Sequence, residues 1–149
     1  MEITFFTKCL FEFIGTLVLV LLGDGVVAST VLKQSKGYNG GGVVITIAGG
    51  LAVMCGVLIA GPYSGAHLNP ALSIGLAAAG SFPWASVPGY VAAQLLGGFC
   101  GAVLVYIYYK DHFDATDEPG AKLVVFCPMP AIMDKPRNHF CEFVRTLLL

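Results

Sequence analysis

The sequence predicts an all-α membrane protein with three transmembrane helices and one re-entrant half-helix. Hydrophobic residues make up 56% of the chain and charged residues 11%, and the mean hydropathy is +0.80, whereas about a quarter of the residues in a soluble domain are charged. No Asp, Glu, Lys or Arg occurs between Lys36 and Lys110. The net charge of −1 gives no support to a nucleic-acid partner, and we expect none.

Three apolar segments are long enough to cross a bilayer, since a helical span needs about 20 mostly apolar residues. They are residues 10–32, 43–60 and 84–109. A loop with two lysines and several glycines, "KQSKGYNGGG", follows the first, and aromatic residues stand at both ends of the third, where the membrane interface favours them. Residues 110–138 are polar and contain prolines, which predicts a loop, and the apolar segment at 140–149 is too short to cross.

The segment between the second and third spans, residues 61–80, places Ser, His, Asn and Pro in an otherwise apolar region. A helix from Asn69 to Gly80 would have 12 residues and would reach about 15–18 Å, or half of a bilayer core that is about 30 Å thick. We therefore predict a chain that enters the membrane, stops near the midplane and returns. Non-helical backbone at that depth is tolerated only in protein or beside a wet cavity, so the segment also predicts a cavity.

Asn69 and Pro70 are residue types that start a helix. An Asn side-chain oxygen at the N-cap accepts from the first free backbone N–H groups, and Pro at the first helical position loses no useful N–H. The amide N–H groups of Asn69 then remain free for the cavity, and the helix N-terminus adds about half a positive charge. We expect residues 65–68 to be extended and to present backbone carbonyls. Such a site suits a polar neutral solute and opposes a cation.

Three stretches of the sequence resemble the aquaporin superfamily of major intrinsic proteins, and in particular its glycerol-facilitator branch. They are "EFIGT" at 12–16, "AGPYSGAHLNPALSIGLA" at 60–77 and "LVYIYYKDHFD" at 104–114. The resemblance implies the first inverted repeat of an aquaporin fold, followed by the start of a fourth helix. It also implies a multi-pass protein of the cell membrane, plasma or inner, with a cytoplasmic N-terminus, and a homotetramer for a complete family member.

The resemblance further implies roles for individual residues. Asn69, Pro70 and Ala71 match the Asn-Pro-Ala motif, at which a half-helix begins in the pore centre. Glu12 and Gln94 match buried residues that support the re-entrant loop. The positions that match pore-lining and solute-binding residues are Gly49, Gly65, Ala66, His67, Leu68 and Asn69. The implied function is a passive channel whose partners are small neutral solutes such as glycerol and water, within the lipid bilayer.

The sequence departs from a complete channel of this family. Asn-Pro-Ala occurs once, without the second motif and following arginine of the filter, and Gly49 stands where glycerol facilitators usually have Trp. We expect residues 1–139 to form a first repeat and 140–149 to begin a truncated second one, because "EFVRT" at 142–146 repeats "EFIGT". This half is expected to be inactive alone. The alternative is a self-sufficient half-transporter that assembles as an antiparallel homodimer of dual topology.

The positive charges do not follow the orientation that the resemblance implies. With a cytoplasmic N-terminus, residues 110–138 are extracellular, and Lys8 is the only inner positive charge before residue 145. The positive-inside rule favours the opposite orientation. We keep the orientation that the family implies.

No catalytic, metal or cofactor site is expected, and we expect the protein not to be an enzyme. The five cysteines are scattered without a CxxC pair, and the ionisable residues Glu12, Asp24 and His67 have no spacing that pairs them. His112 and His139 are expected in solvated loops. Asp24 has two interpretations, an ionisable functional residue inside the membrane or an acid near the outer interface.

Overall fold

The computed structural model describes residues 3–130 and 132–147, and every regular element in these ranges is helical. In chain order the helices are α1 (Phe5–Val31), α2 (Gly41–Ser64), α3 (Pro70–Ala78), α4 (Val87–Tyr108), α5 (Lys110–Ala115), α6 (Pro119–Val124) and α7 (Lys135–Leu147). A 3₁₀ turn at Trp84–Ser86 leads into α4.

Three helical segments, Phe5–Val31, Gly41–Ser64 and Trp84–Tyr108, are long and apolar enough to span a membrane. With the short α3 between the second and third, this confirms the predicted fold class. α1 begins earlier than predicted because the Thr4 hydroxyl caps it, accepting from the Thr7 N–H at 3.2 Å. α2 continues to Ser64 rather than ending at residue 60, and includes Pro62. Pro62 has no N–H to donate to the carbonyl oxygen four residues earlier, so one helical hydrogen bond is missing in the last turns of α2.

Glycines allow α1 to pack closely against both α2 and α4. A Cβ added to Gly56 of α2 would lie 2.9 Å from the carbonyl oxygen of Gly15 in α1. A Cβ on Gly101 of α4 would lie 2.7 Å from another carbonyl oxygen of α1, and Gly97 meets the α1 backbone more closely still. Because lipid is as apolar as the side chains, membrane helices associate through such close packing rather than through the hydrophobic effect. α1 is therefore the helix that the other two spans share.

The segment predicted as a loop, residues 110–138, contains helical structure. It forms α5 and α6, and α7 starts at Lys135 rather than at Phe140. A cluster of buried apolar side chains joins this segment to the C-terminal ends of α1 and α4, and it consists of Ala28, Leu32, Val105, Phe113 and Val125. α5 and α6 were not predicted because each has only six residues, too few for a helical pattern to be recognised.

Hydrogen bonds tie the residues after α1 to α5 and α6. The Lys33 N–H donates to Thr116 Oγ1 at 2.9 Å, and Nδ1 of His112 lies 3.1 Å from the Lys33 carbonyl oxygen. The Lys33 ammonium lies 2.9 Å from the Glu118 carboxylate. The hydrogen bond in this ion pair raises the pKa of Lys33 and lowers the pKa of Glu118. The expectation of a solvated His112 was wrong, because this side chain is half-buried at the junction.

α7 has 13 residues, which is too short to cross a bilayer. Its apolar residues Phe140, Phe143 and Leu147 are all exposed, and so is His139. The last residues of the predicted segment 140–149, residues 148 and 149, lie outside the described part of the chain.

Replacing Gly97 by alanine should destabilise the chain by about 1–3 kcal/mol, because the new methyl group would overlap the α1 backbone and push α4 away. The midpoint of thermal unfolding in detergent should fall. Gly98→Ala is the matched control, since its Cβ would lie 3.9 Å from the Thr16 and Val20 side chains, an ordinary contact. That variant should unfold at the same temperature or higher, because alanine favours a helix over glycine. An equal loss in both variants would contradict the packing described here.

Candidate functional site

Asn69 is the N-cap of α3. Its Oδ1 accepts from the Ala71 N–H at 2.8 Å, and Pro70 occupies the start of the helix. In the part of the chain that the structure describes, Nδ2 of Asn69 donates to no other residue. The cap thus uses the amide oxygen and leaves both amide N–H groups for another partner. α3 has nine residues and ends at Ala78, so it is about 13 Å long, slightly shorter than predicted.

The Glu12 carboxylate holds the turn that precedes α3. Its Oε1 accepts from the Ser64 hydroxyl at 2.6 Å and the His67 N–H at 2.9 Å. Its Oε2 accepts from the Leu68 N–H at 2.7 Å and from Nε2 of Gln94 at 2.8 Å. Glu12 is 0% exposed, and four donors satisfy the acceptor capacity of a buried carboxylate. One side chain of α1 therefore binds the end of α2, the turn and α4.

The turn at residues 65–68 is not extended, and the prediction of extended backbone was wrong. Gly65, Ala66 and Leu68 have φ angles of +88°, +52° and +52°. The left-handed region costs a non-glycine residue on the order of 1 kcal/mol. The two backbone hydrogen bonds to Glu12, and one from the Ala66 N–H to Ser64 Oγ at 3.1 Å, hold this conformation. No local sequence pattern predicts this left-handed conformation, because its main hydrogen-bond acceptor, Glu12, comes from another helix.

The same turn directs its peptide groups to two sides. In a trans peptide unit the N–H and the preceding C=O point in opposite directions. Because three successive N–H groups point to Ser64 and Glu12, the carbonyl oxygens of Gly65, Ala66 and His67 point away from them. Among the described residues, none donates to these three oxygens. The turn thus presents free acceptors next to the free donors of the α3 cap.

Two buried polar residues that the sequence analysis did not assign complete the site. The Tyr90 hydroxyl donates to the Ser64 carbonyl at 2.8 Å. Ser73 Oγ accepts from Nε2 of Gln94 at 3.1 Å and lies 2.9 Å from Nδ1 of His67. Ser73 was within reach of sequence reasoning, because it lies one helical turn after the cap and on the same face. Tyr90 carried no such signal, since only the packing of α4 against α1 and α3 brings its hydroxyl within reach of Ser64.

Gly49 and Asp24 take no part in this hydrogen-bonded cluster. Gly49 lies on α2, and a Cβ added there would have no atom within 4 Å, so the space beside it is open. Asp24 is half-buried in α1 and has no hydrogen bond or ion pair with another described residue. Neither interpretation of Asp24 is favoured by these contacts.

The chemistry that the cluster offers is hydrogen bonding in both directions. It presents carbonyl acceptors, amide donors and the positive end of α3, and the described residues contain three candidate membrane spans. Within the described residues, no group of three or more His, Cys, Asp or Glu side chains lies close enough to hold a metal ion. The five cysteines are free.

Comparison with known proteins places this architecture in a family. Residues 1–149 match the major intrinsic protein (MIP) family. The chain is a major intrinsic protein. Its relatives in that family include a probable glycerol uptake facilitator protein of Thermotoga maritima, 54% identical over 138 residues that cover 93% of this chain and 59% of the relative. A glycerol uptake facilitator protein of Streptococcus pneumoniae is 45% identical over the same shares.

A solved MIP-type structure also resembles the fold. The aquaglyceroporin from Plasmodium falciparum superimposes with a TM-score of 0.71 at 37% identity, covering 78% of this chain and 47% of that one. The resemblance to the glycerol-facilitator branch is thereby confirmed. The chain spans about three fifths of the length of the first curated relatives that it matches.

Replacing Glu12 by glutamine should loosen the turn before α3. The new NH₂ group would replace one carboxylate oxygen, which now accepts two hydrogen bonds. The two donors that face it would lose their acceptor, and each buried unpaired donor costs about 1–3 kcal/mol. We expect faster hydrogen exchange at the amides of residues 66–68, measured by mass spectrometry or NMR. Glu118→Gln removes an exposed carboxylate elsewhere and should leave exchange at 66–68 unchanged. Unaltered exchange in Glu12→Gln would show that the carboxylate does not hold the turn.

Proposed function

We propose that this chain supplies one half of a passive channel for glycerol, water or similar small neutral solutes. The observation that carries the proposal is the set of free carbonyls of residues 65–67 beside the free amide donors of Asn69. A solute with hydroxyl groups can donate to the former and accept from the latter, which replaces the hydrogen bonds that it loses on leaving water. A cation, in contrast, is repelled by the positive N-terminal end of α3.

The residue roles follow from this arrangement. Asn69, Pro70 and Ala71 act as the Asn-Pro-Ala turn at which the half-helix begins, while Glu12 and Gln94 support the loop on its buried side. The solute passes Gly65, Ala66, His67 and Leu68 on one side of its path. Gly49 has no side chain, so the path beside it is wider than an aromatic residue at this position would allow.

The proposed localisation, orientation and assembly are those that the family implies. We place the chain in the cell membrane, plasma or inner, as a multi-pass protein surrounded by lipid, with a cytoplasmic N-terminus and residues 110–138 outside. A complete protein of this kind would assemble as a homotetramer, and its activity is transport rather than catalysis. A second half-helix of opposite direction is needed to close the path, because the described residues supply only one side of it.

Osmotic swelling of proteoliposomes in glycerol tests this function. Vesicles containing the 149-residue chain should swell at the rate of empty vesicles. A chimera in which this chain replaces the 138 matching residues of the Thermotoga maritima relative should swell faster in glycerol. Rapid, selective glycerol flux through the chain alone would disprove the need for a second half, and an inactive but folded chimera would disprove the proposed channel.

The site itself is tested within that chimera by Asn69→Asp. Asp still caps a helix as well as Asn does, but it replaces both amide donors with an acceptor. Since a net hydrogen bond contributes about 1 kcal/mol, glycerol permeability should fall about fivefold or more. Asn39→Asp makes the same chemical change at an exposed loop residue and should leave permeability unchanged.

The antiparallel homodimer is the second candidate, because the positive charges favour the orientation opposite to the one that the family implies, and these two opposing signals leave the direction of insertion weakly determined. It predicts that chains insert in both directions. A cysteine at position 33, in a chain whose five native cysteines are serine, reports the orientation through a membrane-impermeant maleimide. We expect labelling from the outside only. Comparable labelling from both sides of sealed vesicles would support the antiparallel homodimer and overturn the single orientation.

A further inference from the structure

The hydrogen bonds around Ser73 bear on the protonation of the His67 ring. Nε2 of Gln94 lies 2.8 Å from Glu12 Oε2 and 3.1 Å from Ser73 Oγ. An amide NH₂ group only donates, and a carboxylate only accepts, so the contact with Glu12 fixes which way the Gln94 amide faces. The second hydrogen of the same nitrogen then points to Ser73. Ser73 Oγ is therefore an acceptor in this bond.

The single hydrogen of the Ser73 hydroxyl has two possible acceptors. Nδ1 of His67 lies 2.9 Å away, and the carbonyl oxygen of Asn69 lies 3.3 Å away. The Asn69 carbonyl already accepts the Ser73 backbone N–H at 3.1 Å, as part of the first turn of α3. The shorter contact and the unoccupied acceptor both favour His67. If Ser73 donates to Nδ1, that nitrogen carries no proton, and the proton of the neutral ring is on Nε2.

Aromatic contacts hold the ring that receives this bond. The His67 ring packs edge-on against Phe82, with centroids 4.6 Å apart, and at a tilt against Tyr90, with centroids 5.0 Å apart. Tyr90 is itself fixed by its bond to Ser64. In the part of the chain that the structure describes, Nε2 has no hydrogen-bond partner, and the His67 side chain is only partly buried. These contacts hold the ring in place, and Nε2 is the ring nitrogen that has no partner among the described residues.

We propose that Ser73 is a positioning residue that keeps His67 in the tautomer with its proton on Nε2. This inference rests on the proposed function for its consequence: His67 adds a hydrogen-bond donor to a solute path whose backbone supplies acceptors. With the other tautomer, Nε2 would be an acceptor, and the donors of the site would be limited to Asn69. Ser73 thus sets the balance of donors and acceptors without contacting the solute.

NMR of the chain with ¹⁵N-labelled histidine in lipid nanodiscs tests the tautomer directly, at a pH above the ordinary titration range of histidine. The His67 signals are identified by their loss in His67→Asn. In the unmodified chain we expect a protonated Nε2 and an unprotonated Nδ1. In Ser73→Ala, the ratio of the two tautomers should change by about fivefold or more, as for the loss of one hydrogen bond. Ser73→Thr keeps the hydroxyl and should restore the original spectrum.

Several outcomes would overturn the proposal. A proton on Nδ1 in the unmodified chain would mean that Ser73 accepts from His67 and donates to Asn69. An unchanged ratio in a folded Ser73→Ala would mean that the hydroxyl does not set the tautomer. If Ser73→Ala does not fold, the spectra of the unmodified chain and of Ser73→Thr decide, and different tautomers in these two also contradict the proposal. Because the readout requires no solute flux, failure of the channel function would be seen separately in the swelling experiment.

Discussion

A buried carboxylate must be hydrogen-bonded on every side, and in this chain that requirement joins three helices. Glu12 accepts from the end of α2, from the turn before α3 and from α4. Without these four donors the charge would be very costly to bury, and without the charge the turn would lose the acceptor that holds two of its N–H groups. The carboxylate and the unusual backbone therefore stabilise each other. The position of α3, and hence of Asn69, depends on this mutual stabilisation of the Glu12 carboxylate and the turn.

The close approach of α1 and α2 allows the hydrogen bonds between Glu12 and the turn to form. A carboxylate on α1 reaches the turn only because Gly15 and Gly56 let α1 and α2 come into backbone contact one turn away. A Cβ on either glycine would also strike the Leu68 side chain, at 2.6 Å from Gly15 and 2.9 Å from Gly56. Leu68 is almost fully buried. Its side chain packs between α1 and α2, while its N–H donates to Glu12. Packing and hydrogen bonding thus act on the same residue.

The sequence predicted the features that depend on local pattern. Apolar runs predicted the three spans, and the Asn-Pro step predicted the start of α3. The fold class and the family were confirmed, whereas the ends of the spans were misplaced and the helices within residues 110–138, predicted as a loop, were missed. Contacts between distant segments explain these errors. The left-handed turn depends on an acceptor from α1, and the hydrogen bonds of Tyr90 and Ser73 depend on how α4 packs against α1 and α3. No single stretch of the sequence contains this information.

The turn before α3 presents main-chain atoms, and this has a consequence for how the site tolerates mutation. An oxygen of the backbone belongs to whichever amino acid occupies the position, so replacing a side chain does not delete it. What can be lost is its direction, which depends on left-handed φ angles at Gly65, Ala66 and Leu68. Valine, isoleucine and threonine are poorly suited to such angles. The sequence constraint at these positions is therefore on backbone conformation rather than on polarity: any side chain at Gly65 would be strained, and the buried Leu68 side chain must also fill the space between α1 and α2.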